Sequence, residues 1–171
     1  CLLRVVSGDA FPGLATKDGV LATYDVRTGG YNGTVDACTF QLDEPTVVTI
    51  GFLFNIPEQN NGRAMRVNDL RIYDSANRDV TSKYLQNYTN IQRKDLSYRR
   101  FGQPTFWTVE NFEISNGTDG TKHGIDKYAG DNELMLGVWN DAGNAKGSLR
   151  DAKLYQRVTL PAGDYFFGAA Y

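Results

Sequence analysis

The residues best equipped for chemistry lie close together in G-T-K-H-G-I-D-K-Y and the segment after it: His123, Asp126, Tyr128 and Asp131 bring an imidazole, two carboxylates and a phenol into one short stretch. A histidine-aspartate pair becomes a catalytic unit only beside an activated nucleophile. The chain has no G-x-S-x-G elbow and no reactive-cysteine context, so His123, the single histidine, reads as a hydrogen-bonding loop residue or ligand contact rather than a general base. Asp126 and Asp131 on one loop, and Glu110 and Glu113 on a strand, supply the carboxylates a small glycoside hydrolase would need. Such pairs meet in space rather than in sequence, and solvated surface acids are the simpler reading. No phosphate-cradling or dinucleotide motif is present.

Aromatic side chains near loops carry the stronger functional signal. Indole and phenol rings stack on the apolar faces of sugars while neighbouring polar groups bond the hydroxyls. Tyr31, Trp107, Tyr128 and Trp139 are the candidates, although Trp107 and Trp139 begin and end strand-like runs and fit core packing as well. A structural calcium is a weaker expectation, with Asp69 and Glu113 as ligands; no loop has EF-hand spacing. No other cofactor is expected.

These residues need a scaffold, and the pattern of the chain describes one. With 171 residues, 12% aromatic content and 18 glycines, the chain fits one all-β domain rich in turns. A formal net charge of -2 gives no field to recruit nucleic acid or an anionic membrane. No run approaches a membrane span, and no signal peptide is present, so the chain reads as a mature or excised soluble segment. Cys1 and Cys38 are too few for a disulfide framework and lack zinc spacing. Cys38 shares a face with Phe40 and Leu42, which predicts a buried thiol. Lipidation of Cys1 is the lesser alternative to a strand starting at Leu2.

Strands are expected over Leu2 to Ser7, Val20 to Val26, Thr34 to Leu42, Thr46 to Ile56, Phe106 to Ile114 and Glu133 to Trp139, with two more in Lys153 to Tyr171, the second from Asp164 to Tyr171. In Thr46 to Ile56, Val48, Ile50, Phe52, Phe54 and Ile56 share one face. Asp43-Glu44-Pro45 and Leu160-Pro161-Ala162-Gly163 read as hairpin turns. Met65 and Val67 alternate in one phase and Leu70 and Ile72 in the other, which predicts a bulge near Asn68-Asp69. Residues 74–100 form a connection with a short helix around Thr81 to Gln86. The stretches C-T-F-Q-L-D-E-P-T-V-V-T-I-G-F and Y-Q-R-V-T-L-P-A-G-D-Y-F-F-G-A share one plan, strand, proline turn, aromatic-glycine strand, as suits the two faces of a sandwich.

Four motifs together, Arg100 to Phe112 (R-F-G-Q-P-T-F-W-T-V-E-N-F), Gly120 to Tyr128, Leu134 to Trp139 and Tyr155 to Tyr171, resemble a galactose-binding-like jelly roll. The nearest likeness is a domain of unknown function in Bacteroidetes cell-surface lipoproteins. The resemblance implies a β-sandwich of an exported protein, at the cell surface or in the periplasm, with neighbouring domains and a glycan or surface polysaccharide as partners. The halves stand in permuted order: residues 1–73 resemble the second half of the fold and 101–171 the first. The alternative is a chain cut across two neighbouring sandwich domains. Asp74-Ser75-Ala76 also resembles an O-glycosylation signal of that phylum, and N-x-T triplets stand at Asn32, Asn87 and Asn116; unmodified turns are the simpler reading. The expected function is a non-catalytic glycan-binding module, its site on loops around His123 to Asp131 with Trp107, Tyr128 or Trp139 as platform. The alternatives are a spacer domain that buries its tryptophans, or a small hydrolase using Asp126 or Asp131.

Overall fold

A computed structural model describes residues 1–25, 36–56, 63–67, 69–89, 91–93, 100–114, 121–126, 134–138 and 149–170, with backbone alone at 36, 56, 63–66, 121–123, 126, 134–138 and 170. In chain order the elements are β1 (Leu2–Ser7), β2 (Val20–Asp25), β3 (Asp36–Leu42), β4 (Thr46–Ile56), β5 (Arg63–Val67) and β6 (Asp69–Asp74). There follow α1 (Thr81–Tyr84), β7 (Phe101–Gly102), β8 (Thr108–Glu110), β9 (Thr121–Asp126), β10 (Leu134–Val138), β11 (Leu149–Leu160) and β12 (Gly163–Ala170). They form three antiparallel sheets, ordered β2-β1-β4-β11-β8, β5-β10-β9-β7 and β3-β12-β6. All three contribute to one hydrophobic core, giving a sandwich-like all-β architecture.

β4 lies at the centre of the five-stranded sheet because both of its faces are apolar. Val48, Ile50, Phe52 and Phe54 are fully buried in the main core, each contributing about 2 kcal/mol relative to exposure. On the opposite face Leu53 joins Val6, Phe11 and Tyr155 in a second, smaller core. The loop between β1 and β2 covers that face. Phe11 stacks on Tyr155 at 5.1 Å between ring centroids, and the buried Arg4 donates from Nη1 to the carbonyls of Pro12 and Gly13 at 3.2 and 3.0 Å. Burial pulls the Arg4 guanidinium below its ordinary pKa, with Asp151 acting in the opposite direction.

The two expected hairpins are not hairpins. β3 pairs with β12, and β4 pairs with β11, so Asp43-Glu44-Pro45 and Pro161-Ala162 each carry the chain from one sheet into another. Leu42 faces Gly163 in the one ladder while Thr46 faces Leu160 in the other, which sets the two crossings side by side. The inward faces explain the preference. Phe40 and Leu42 on β3 bury against the same core as Val48 and Ile50 on β4, whereas a flat hairpin would leave one set in water. The N-terminal and C-terminal strands therefore share both sheets.

The phase change after Val67 has a related cause. β5 pairs with β10 and β6 with β12, so the chain changes sheets there in place of the expected bulge. The connection after β6 is packed rather than slack: Leu85 and Ile91 are buried, and Thr81 Oγ1 accepts from Ile72 N at 2.8 Å. The helix expected around Thr81 to Gln86 forms as the single turn α1. Buried Gln156 fastens this segment to β11 from the core side. Its Oε1 accepts from Gln86 N at 3.0 Å and its Nε2 donates to Gln86 O at 2.5 Å, so no amide group is left unpaired. The strand expected over Phe106 to Ile114 shrinks to β8, because Phe106 and Asn111 take left-handed φ values of 67° and 60°. Among the described residues, no helix is long and apolar enough to cross a membrane.

Gly51 sets how closely β4 and β11 approach. A Cβ there would lie 2.1 Å from Leu154 O and 2.6 Å from Tyr155 Cα, both backbone atoms in the partner strand. Gly51→Ala is accordingly expected to destabilise the protein by roughly 2 kcal/mol or more through overpacking, read as a lowered urea midpoint. An unchanged midpoint would show that the ladder tolerates the side chain.

Candidate functional site

The structure redistributes the residues that the sequence brought forward. Trp107 is buried in the main core, 4% exposed, and its Nε1 donates to Asn87 O at 3.0 Å. It offers no face for a ligand, which corrects its role as a platform. His123 and Asp126 lie in strand β9, not in a loop: His123 stands opposite Leu136, and Asp126 opposite Phe101. The sequence K-H-G-I-D lacks the apolar alternation that marks a strand, and the ladder to β10 supplies what side chains do not. Tyr31, Tyr128, Asp131 and Trp139 lie outside the described residues, as do Asn32 and Asn116.

The acidic candidates are engaged in the fold. Asp69 accepts from Arg71 Nε at 3.1 Å and pairs with its Nη2 at 3.0 Å. Glu113 is exposed just beyond β8, in a different sheet from β6, and no group of three metal-ligating side chains gathers among the described residues. Glu110 pairs with Lys153 Nζ at 3.0 Å and accepts a short hydrogen bond from the Tyr155 hydroxyl. Burial raises the Glu110 carboxyl, but the bonds from Tyr155 and Lys153 outweigh it, and the group ends below its ordinary pKa. Burial, reinforced by Glu110, pushes Tyr155 up to about 12. Asn87 is tied up too, its Nδ2 donating to Gln92 O, Thr105 O and Thr105 Oγ1 at 2.8 to 3.0 Å.

An exposed ring beside free polar groups occurs elsewhere, on the outer face of the three-stranded sheet. In β12 the alternation D-Y-F-F turns Tyr165 and Phe167 inward and Phe166 outward, where it remains 36% exposed. Tyr73 on β6 faces it directly across the ladder and meets it edge to face at 6.0 Å, with the rings at 69°. On the other side Phe166 stands opposite Thr39, and Asp164 opposite Gln41, both on β3. Leu21 of β2 closes one side of a cavity of about 620 Å³ over this surface.

The polar groups here divide into used and free. Asp74 Oδ1 accepts from the amides of Ala76 and Arg78, both at 3.0 Å, and Oδ2 from Arg78 Nε at 2.8 Å. Those bonds, led by the one from the Arg78 side chain, hold the Asp74 carboxyl below the usual carboxylate range. Tyr165 closes the crossing by donating to Pro161 O at 3.1 Å. Thr39, Gln41, Ser75 and Asp164 are exposed, and none of their side chains bonds another described group. A ring pair ringed by one carboxylate, one amide and two hydroxyls can stack on an apolar face and exchange hydrogen bonds around it.

A second cavity, of about 490 Å³, adjoins the first and shares Asp74, Ser75, Asp164 and Tyr165 with it. The sequence signal for this site is the outward Phe in a strand whose other aromatics point in. Compared with protein-family models, curated proteins and solved structures, the chain matches none.

The Glu110 clip gives a pH prediction. Folded Tyr155 holds its proton more tightly than the unfolded chain does, so its contribution is complete below the ordinary tyrosine pKa of 10.0 and is lost as pH rises toward about 12. For Glu110 the sign reverses: its contribution is present above the ordinary carboxylate pKa and lost as pH falls through its lowered one. Tyr155→Phe is expected to flatten both limbs of a plot of stability against pH. Limbs as steep as those of the unchanged protein would refute the coupling.

Proposed function

We propose that the chain is a non-catalytic carbohydrate-binding or cell-surface interaction module with a jelly-roll fold of galactose-binding-like type. In this reading it serves as part of a larger exported bacterial protein, at the cell surface or in the periplasm, and sugars stack on Phe166 at the outer face of β3-β12-β6. The observation that carries it is the exposed Phe166, edge to face with half-buried Tyr73, beside Thr39, Gln41, Ser75 and Asp164, whose hydrogen-bonding groups have no described partner. The face of a hexose presents C–H groups to such a ring and hydroxyls to such a rim.

Binding rather than hydrolysis is favoured by the state of Asp74, which lines the cavity. Glycoside hydrolysis needs one carboxyl held protonated as general acid. Asp74, bonded to Arg78 and two backbone amides, is held in the charged form. A spacer role is the second reading, and the burial of Trp107 favours it.

Phe166→Ala removes an exposed ring and leaves the core intact. It is expected to weaken glycan binding roughly tenfold, the worth of one stacking contact of about 1.4 kcal/mol, with no loss of thermal stability. Gln41→Ala should weaken binding without abolishing it. A glycan array and calorimetry check both; a folded protein that binds no glycan would leave the spacer role.

A further inference from the structure

The charges around the two cavities discriminate among glycans, given that the face described above binds sugar. Among the described residues, the cavity over Phe166 is lined by two carboxylates, Asp74 and Asp164, and by no lysine or arginine. Asp74 is neutralised by Arg78, at 2.7 Å in the ion pair. Asp164 is exposed and pairs with no described cation. Arg71, further along β6 on the same outward face, is taken by Asp69 at 3.0 Å and Asp79 at 3.5 Å. One uncompensated negative charge therefore stands beside the stacking ring.

Among the described residues, the adjoining cavity has no compensating excess of positive charge. Its basic residues are Arg78, engaged by Asp74, and Lys83; its remaining acids are Asp79 and Asp164. The Lys83 ammonium lies 5.1 Å from the Tyr84 ring centroid and pairs with no carboxylate among the described residues. Because Asp74, Ser75, Asp164 and Tyr165 line both cavities, a chain lying on Phe166 continues past Asp164 toward Lys83 and Tyr84.

We infer that the ligand is an uncharged oligosaccharide occupying both cavities, and that Asp164 rejects chains carrying carboxylate or sulfate groups where they cross Phe166. A single sugar fills only part of this track. Neutral hydroxyls accept and donate at Gln41, Thr39 and Ser75, whereas an acidic substituent meets the Asp164 carboxylate where no described lysine or arginine lines the cavity. Two like charges about 5 Å apart cost about a fourfold loss of affinity even in bulk water, and more near a protein surface.

The test is calorimetry on the whole chain with gluco-, galacto- and manno-oligosaccharides from one to six units, alongside oligomers of the matching uronic acids. Affinity is expected to rise with length beyond the monosaccharide, and neutral chains to bind about fourfold or more tightly than uronates of equal length. Asp164→Asn should close that gap by bringing uronate affinity up to that of neutral chains on the same variant, and added salt should narrow it in the unchanged protein. A monosaccharide bound as tightly as a hexasaccharide would overturn the extended track. Uronates bound as well as neutral chains, or a gap that survives Asp164→Asn, would overturn the charge discrimination. No binding by any chain, with the fold intact, would instead overturn the sugar-binding reading on which this rests.

Discussion

The structure depends on two short crossings that carry adjacent strands into opposite layers. Asp43-Glu44-Pro45 takes the chain from β3 to β4, and Pro161-Ala162 takes it from β11 to β12; pairing of β3 with β12 and of β4 with β11 then locks the crossings together. Each crossing turns an alternating strand so that its apolar side meets that of its sequence neighbour across the core. Phe40, Leu42, Val48, Ile50, Val158 and Leu160 are buried together as a result. Most of the stabilisation comes from this burial, while Gly51 lets the central ladder close without a side chain between the backbones.

The same crossings create the candidate site. When β12 turns Tyr165 and Phe167 into the core, the period of two leaves Phe166 outside, beside Tyr73 from β6 and Thr39 from β3. Core packing therefore fixes the position of a surface ring. Asp74 closes the turn after β6 by bonding Ala76 and Arg78, and in doing so it leaves Asp164, among the described residues, as the unpaired carboxylate of the cavity. The fold decides which polar groups are spent on structure and which remain for a ligand.

Much of the scaffold was legible in the sequence because alternation reports burial directly. The inward set of β4, the buried Cys38 and the shared plan of the two strand-proline-strand segments follow from it. Burial also pushes the Cys38 thiol up to about 12, as expected of an inert core cysteine. Partner choice was not legible, since a proline turn of a few residues serves a hairpin and a crossing equally well. The change of sheet after Val67 looked like a bulge for the same reason: both reverse the phase of alternation. At the site, chemical type misled. Trp107 drew attention as an aromatic near a loop, yet its indole finds its partner in the Asn87 carbonyl beneath the surface. Phe166 was hidden inside an aromatic cluster whose other members are core residues.

The location of the site is most directly tested by a backbone amide NMR titration with the neutral oligosaccharide that binds most tightly. Shifts concentrated at Thr39, Gln41, Tyr73, Asp164 and Phe166, with β9 unaffected, are expected. Shifts centred on His123 and Asp126, or shifts confined to the edge near Trp107, would contradict the assignment of the outer face of β3-β12-β6 as the sugar-binding surface.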